Sequence, residues 1–151
     1  MALIEWKGIN WSGAYGELGI KELLTGLKGY APIELLEFEK NGGAYRGRMT
    51  VGLSEDGIKI VTLYELRARG PEARPVITGA LKRIREIFGA RIFFVDDPSV
   101  APGTEGKKGC YRFWIQMLRE GFIDGIESET LGVNHDTPLD QIEEKFSLLS
   151  S

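Results

Sequence analysis

The stretch whose reading decides the fold runs from Ile58 to Val95, IKIVTLYELRARGPEARPVITGALKRIREIFGARIFFV. It changes period twice. From Ile58 to Arg69 the residues alternate: Ile58, Ile60, Thr62, Tyr64, Leu66 and Ala68 share one side, Lys59, Val61, Leu63, Glu65, Arg67 and Arg69 the other. Such alternation marks a strand, because successive strand side chains point to opposite faces. It assigns Tyr64 to the core side and Glu65 to the open side. From Ile77 the period becomes helical: Ile77, Ala80, Leu81, Ile84, Ile87 and Phe88 recur at spacings of three and four. That is an amphipathic helix with a basic opposite face, ended by Gly89. Arg91 to Val95 is a compact apolar strand, stopped by Asp96-Asp97-Pro98. Strand, helix and strand over this length predict a crossover with a parallel pair.

Toward the N-terminus, Leu3 to Trp6 reads as a short strand, Asn10 to Gly16 as a loop and Glu17 to Lys28 as a short helix. Pro32 opens a strand with Ile33, Leu35 and Phe38 facing inward. Asn41-Gly42-Gly43 is a hairpin signal. Ala44 to Leu53 is the returning strand, and Ser54-Glu55-Asp56-Gly57 is a second turn, so three strands form an antiparallel meander. Toward the C-terminus, Ser99 to Gly109 reads as a loop and Tyr111 to Glu120 as a helix ended by Gly121. Phe122 to Val133 supplies one or two short strands. Thr137-Pro138-Leu139-Asp140 starts a last helix, at about 137–149, with Thr at the cap and Pro at the first helical position. Leu139, Ile142, Phe146 and Leu149 share one face of it. The expected class is α/β with a mixed sheet, an antiparallel meander followed by a βαβ half, in a single domain over 1–151.

Composition narrows the function classes. A length of 151 residues is a prior for one domain. With 42% hydrophobic and 27% charged residues the chain can bury a core, which argues against disorder. No apolar run approaches the ~18 residues of a membrane span, and the first residues lack a leader pattern; the expected location is cytoplasmic, with no membrane partner. One cysteine and one histidine exclude an intrachain disulfide and a Cys-rich zinc site. A net charge of −3 argues against a general nucleic-acid partner. The charge is uneven: Arg67 to Arg91 holds seven basic residues against two acidic, and the chain after Phe122 holds seven acidic residues against one lysine. A basic middle in an acidic chain fits a local anionic ligand, or two solvated faces.

The element order resembles the fold of the GCN5-related N-acetyltransferases. That family's phosphate loop, Arg/Gln-x-x-Gly-x-Gly/Ala, often preceded by Pro-Glu, is matched at Pro71, Glu72, Arg74 and Gly79. Gln116 to Phe122 is similar to its Phe-Tyr-x-x-x-Gly-Phe helix end. The sequence departs from the pattern at Ile77, where the first motif glycine falls, at Pro75, which removes one N–H, and at Met117, where many members carry a tyrosine acid. The resemblance implies an acyltransferase moving an acetyl or other acyl group from coenzyme A to an amine, a small molecule or a peptide. It implies Glu65 as the catalytic base. It implies Arg74 and the segment Val76, Ile77, Thr78 and Gly79 as the holders of acetyl-CoA or another acyl-CoA, with no metal. A helix N-terminus suits a diphosphate, since its unbonded N–H groups and the positive end of the dipole converge there. The alternative is a non-catalytic relative that binds a partner or small anion through the basic helix face, or forms a homodimer.

Other residues carry less. Ala101 to Lys108 departs from a Walker loop at its first glycine and its hydroxyl position. Asp96-Asp97 reads as a turn signal more than a metal pair, since adjacent strand residues point apart. His135 reads as a loop residue, and Cys110 as a small buried residue more than a nucleophile. Trp6, Trp11, Trp114, Phe113 and Phe122 read as core or interface, with Trp11 and Tyr15 as candidate lining for an acceptor pocket.

Overall fold

The computed structural model describes residues 2–13, 17–24, 35–54, 56–68, 73–96 and 104–150. The chain divides into two compact units, Met1–Arg91 and Ile92–Ser151. Among the described residues the class is mixed α/β: antiparallel strands in the first unit, a parallel pair in the second, and four helices.

In the first unit, strands β1 (Ala2–Trp6), β2 (Ile9–Gly13), β3 (Leu36–Lys40), β4 (Tyr45–Leu53) and β5 (Lys59–Ala68) pair antiparallel, each with the next. Helix α1 (Glu17–Leu24) lies between β2 and β3 in sequence, and α2 (Ala73–Phe88) follows β5. Strand β2 replaces the loop expected from Asn10. Lys7 and Gly8 both take positive φ, 56° and 78°, the backbone of a two-residue type I′ turn. Lys-Gly is not a strong signal for that turn, so the hairpin is silent in the sequence. Ile9, Trp11 and Gly13 are its buried positions.

The register lines up Ile4, Trp11, Phe38, Gly47 and Leu66 across the five strands on one face. Trp11 is fully buried, with the rings of Phe38 and Phe88 at 5.5 and 5.8 Å. Trp11 is therefore a core residue and not pocket lining; Tyr15 lies outside the described residues. Gly47 has a packing reason to be glycine: a Cβ there would fall 2.7 Å from Cζ of Phe38. Ile77, Ala80, Leu81, Ile84 and Phe88 form the buried side of α2, as their spacing predicts. Leu36 and Phe38 point inward and Leu35 is exposed, correcting the expected phase of β3; Ile33 lies outside the described residues.

Strand β5 also departs from expectation. Arg48 stands opposite Glu65 and Met49 opposite Leu63, so Tyr64 is an extra residue with no partner on β4. A bulge of this kind shifts the alternation by one. Before it, Val61 and Leu63 are buried; after it, Leu66 is. Ile58 is exposed and Tyr64 only half-buried, so neither is the core residue that strict alternation predicts.

The second unit contains β6 (Arg91–Asp96) from Ile92 onward, α3 (Thr104–Arg119), β7 (Gly125–Ser128) and α4 (Leu139–Ser150). Strands β6 and β7 are parallel, with Phe93 opposite Gly125 and Asp96 opposite Ser128. Helix α3 starts seven residues before Tyr111, inside the expected loop, despite Gly106 and Gly109. Glu105, Lys107 and Lys108 are good helix formers, and the later turns are anchored by buried Tyr111, Trp114 and Ile115. Trp114 stacks on Phe94 at 4.2 Å. Gly121, at φ 82°, ends α3, with Phe122 N–H bonded to Met117 O and Gly121 N–H to Leu118 O. This pair is a Schellman cap. Helix α4 starts one turn position later than expected: Ile142 N–H bonds to Pro138 O, and the Thr137 hydroxyl accepts from Asn134 N–H in the preceding turn. Among the described residues, no helix is long and apolar enough to cross a membrane.

Candidate functional site

Helix α2 begins at Ala73, which places the expected phosphate-binding residues along its first two turns. First-turn N–H groups are the ones a helix leaves without an internal partner. Arg74 and Val76 belong to that turn, and Pro75 between them has no N–H to offer. Ile77, Thr78 and Gly79 stand in the next turn, where each N–H bonds to the carbonyl four residues back. Ile77 is a buried core residue, and the Thr78 hydroxyl donates to Pro75 O at 3.0 Å. Gly79 is exposed, and a Cβ there would meet open space. Pro71 and Glu72 lie outside the described residues. Along the basic face, Arg83 pairs with Glu86 at 3.4 Å, and Arg74, Lys82 and Arg85 all have partners.

The open face of the first unit's sheet carries the charge. The cross-strand row Ser12, Glu37, Arg48, Glu65 runs beside the row Asn10, Glu39, Arg46, Arg67. Glu65 lies between two guanidinium groups: Arg48 Nε donates to its Oε2 at 3.0 Å, and Arg67 Nε pairs with its Oε1. The side chain of Glu65 is 17% exposed, that of Arg67 62%. The bulge at Tyr64 brings Glu65 to this face next to Arg48. The residue expected as a base therefore has both oxygens engaged.

These rows flank a groove of about 310 Å3. Glu37 and Glu39 form its β3 wall, Arg46 and Arg48 its β4 wall, and Glu65, Asn10 and Ser12 close its ends. Phe38 and Gly47 lie at its floor; their side-chain directions face the core, so they offer main chain to the groove. A smaller cavity of about 180 Å3 lies by Gly43, Tyr45, Arg46 and Arg67. Burial pushes the Tyr45 hydroxyl above its ordinary value, with Arg83 pulling the other way.

The second unit contains a polar cluster that sequence reasoning missed. Asp96 Oδ2 accepts from the hydroxyl of Tyr111 and, at 3.0 Å, from that of Ser128. Ser128 Oγ in turn accepts from Leu131 N–H at 3.1 Å. All three side chains are buried. Burial, then the bond to Asp96, raises the Tyr111 hydroxyl above its ordinary value, while Ser128 and Thr130 act in the opposite direction. Asp96 is thus a strand residue and not part of a turn; Asp97 lies outside the described residues. Parallel pairing brings Asp96 and Ser128 together at the strand ends. The available signal was Asp96 closing an apolar strand and Tyr111 opening the patterned part of a helix.

Met117, at the family's tyrosine position, is fully buried and carries no proton to give. His135 stands 3.8 Å from Asp136 and its ring 5.1 Å from that of Phe93. The side chain of Cys110 lies outside the described residues. Among the described residues, no group of three or more His, Cys, Asp or Glu can hold a metal ion. No family model matches this sequence, and comparison with curated proteins and with solved structures returned no match.

Proposed function

We propose that the chain is an acyltransferase of the GCN5-related N-acetyltransferase type, transferring an acyl group from coenzyme A to an amine. One observation carries this reading: the bulge at Tyr64 in β5, nine residues before α2 begins. The extra residue has no partner in the register of β4 and β5, and the ladder is locally disrupted there. A strand N–H left out of the β4 ladder is the kind of donor that polarises a thioester carbonyl as negative charge develops on its oxygen. The positive end of α2, with Arg74 in its first turn, follows on the same chain segment and suits the coenzyme's phosphates. Catalysis in this scheme is positioning and carbonyl polarisation. The nitrogen of the amine attacks the thioester carbon, the carbon–sulfur bond breaks, and the proton from nitrogen passes to a base such as Glu65, directly or through water. The thiolate leaves with the coenzyme.

A second reading, a scaffold that binds without chemistry, is favoured by the ion pairs of Glu65 with Arg48 and Arg67, which occupy both carboxylate oxygens. Calorimetric titration with acetyl-CoA separates the two. The transferase reading expects micromolar binding that weakens about tenfold or more in Arg74→Ala, the loss of one charge-assisted phosphate contact. Absence of heat at millimolar coenzyme removes it.

A further inference from the structure

We propose that the groove between β3 and β4 is a binding site for a small zwitterion, an amine that also bears a carboxylate or a phosphate. The inference does not depend on acyl transfer. Its two walls carry opposite charge: Glu37 and Glu39 on β3, Arg46 and Arg48 on β4. The register sets Glu37 opposite Arg48 and Glu39 opposite Arg46, the arrangement in which cross-strand ion pairs ordinarily form. Among the described residues neither pair closes. Arg48 turns away to Glu65 on the next strand, and Glu37, Glu39 and Arg46 enter no ion pair among the described residues. The acidic wall and the basic wall therefore face one another across a volume of about 310 Å3.

Gly47 lies between Arg46 and Arg48, and the core side of its backbone is filled by the Phe38 ring. The groove floor is consequently main chain, and the charged side chains rise from either side of it. A lone cation would be attracted to β3 and repelled by β4, and a lone anion the reverse. A molecule with both charges, set about one strand spacing (~5 Å) apart, is complementary to both walls at once. Arg46 offers a planar fork of donors suited equally to carboxylate and phosphate, so the two anion types share this chemistry.

Titration of the isotope-labelled chain, followed on the amides of residues 36–48 and the arginine Nε–H groups, tests the site. The probes are β-alanine, γ-aminobutyrate and phosphoethanolamine. The single-charge controls are butylamine, butyrate, ethanolamine and inorganic phosphate. The proposal expects shifts centred on residues 37–39 and 46–48, with a zwitterion binding about tenfold or more tighter than either of its single-charge counterparts. The ratio between γ-aminobutyrate and phosphoethanolamine tells carboxylate from phosphate. Glu39→Gln weakens the zwitterion about tenfold and leaves butyrate unchanged, and Arg46→Gln does the reverse with butylamine. If Glu39→Gln does not fold, Glu37→Gln replaces it; if Arg46→Gln does not fold, the comparison among probes on the unaltered chain carries the test of the basic wall. Equal affinity for butyrate and γ-aminobutyrate overturns the proposal, as does the absence of shifts at 37–48 with every zwitterion at tens of millimolar.

Discussion

In Met1–Arg91 the carboxylate of Glu65 stands between two arginines on an open sheet face; in Ile92–Ser151 the carboxylate of Asp96 stands between Tyr111 and Ser128 in the interior. The two have similar numbers of partners and different physical weight. Water competes with each arginine of the Glu65 network and screens it, so the pairs add little to stability. Water is excluded from Asp96, so its partners lose everything if it is removed. The exposed network can exchange partners with a ligand at small cost to the fold. The buried one cannot, and its role is to fix where α3 meets the ends of β6 and β7. A charged cluster is thus a candidate site when it is half-exposed and beside an opening, and a structural tie when it is closed.

Truncation makes the largest contrast. Asp96→Ala leaves the hydroxyls of Tyr111 and Ser128 buried without their acceptor and should destabilise the fold by about 3 kcal/mol, read by urea denaturation. A loss under about 1 kcal/mol would place Asp96 with the exposed class. Gly47→Ala comes next, because its Cβ would collide with the Phe38 ring and with the main chain of Glu65. It should cost about 2 kcal/mol or more by overpacking, and a variant as stable as the original would break the account of the groove floor.

Smaller effects sharpen the comparison. Tyr111→Phe keeps the ring and removes one buried hydrogen bond, about 1 kcal/mol. It also changes the alkaline limb of stability. The Tyr111 hydroxyl is held above the ordinary value of 10.0 by burial and by Asp96, so the folded state favours its neutral form. That contribution is complete below about pH 10 and is lost as pH rises through the raised value. The original chain should therefore lose stability more steeply above pH 10 than Tyr111→Phe, in parallel denaturation series. Glu65→Gln should shift stability by less than about 1 kcal/mol while abolishing acyl transfer, if the carboxylate serves as base.

Much of this contrast was legible in the sequence. Strands β3 to β5, helices α2 and α3 and the terminal helix follow from period and from glycine punctuation, because burial of one face imposes those periods on any sequence. Alternation put Glu65 on the open side together with Val61 and Leu63, which are buried; the bulge at Tyr64 is what separates it from them. The turn at Lys7-Gly8 was not, since glycine supplied one left-handed position and lysine was forced into the other. The bulge at Tyr64 was not, because an extra residue leaves composition unchanged and only moves the phase. The Asp96 cluster was not, since it joins residues from β6, α3 and β7 that only tertiary pairing brings together. The phosphate-loop resemblance and the helical period made opposite demands on Ile77, and Ile77 is buried with the core residues that the period named.

The most direct measurement is a backbone-amide shift map of the chain with saturating coenzyme A. The transferase account predicts shifts concentrated on residues 63–66, around the bulge, and on residues 73–79, at the start of α2. A map without shifts, or with shifts only in Ile92–Ser151, would contradict it.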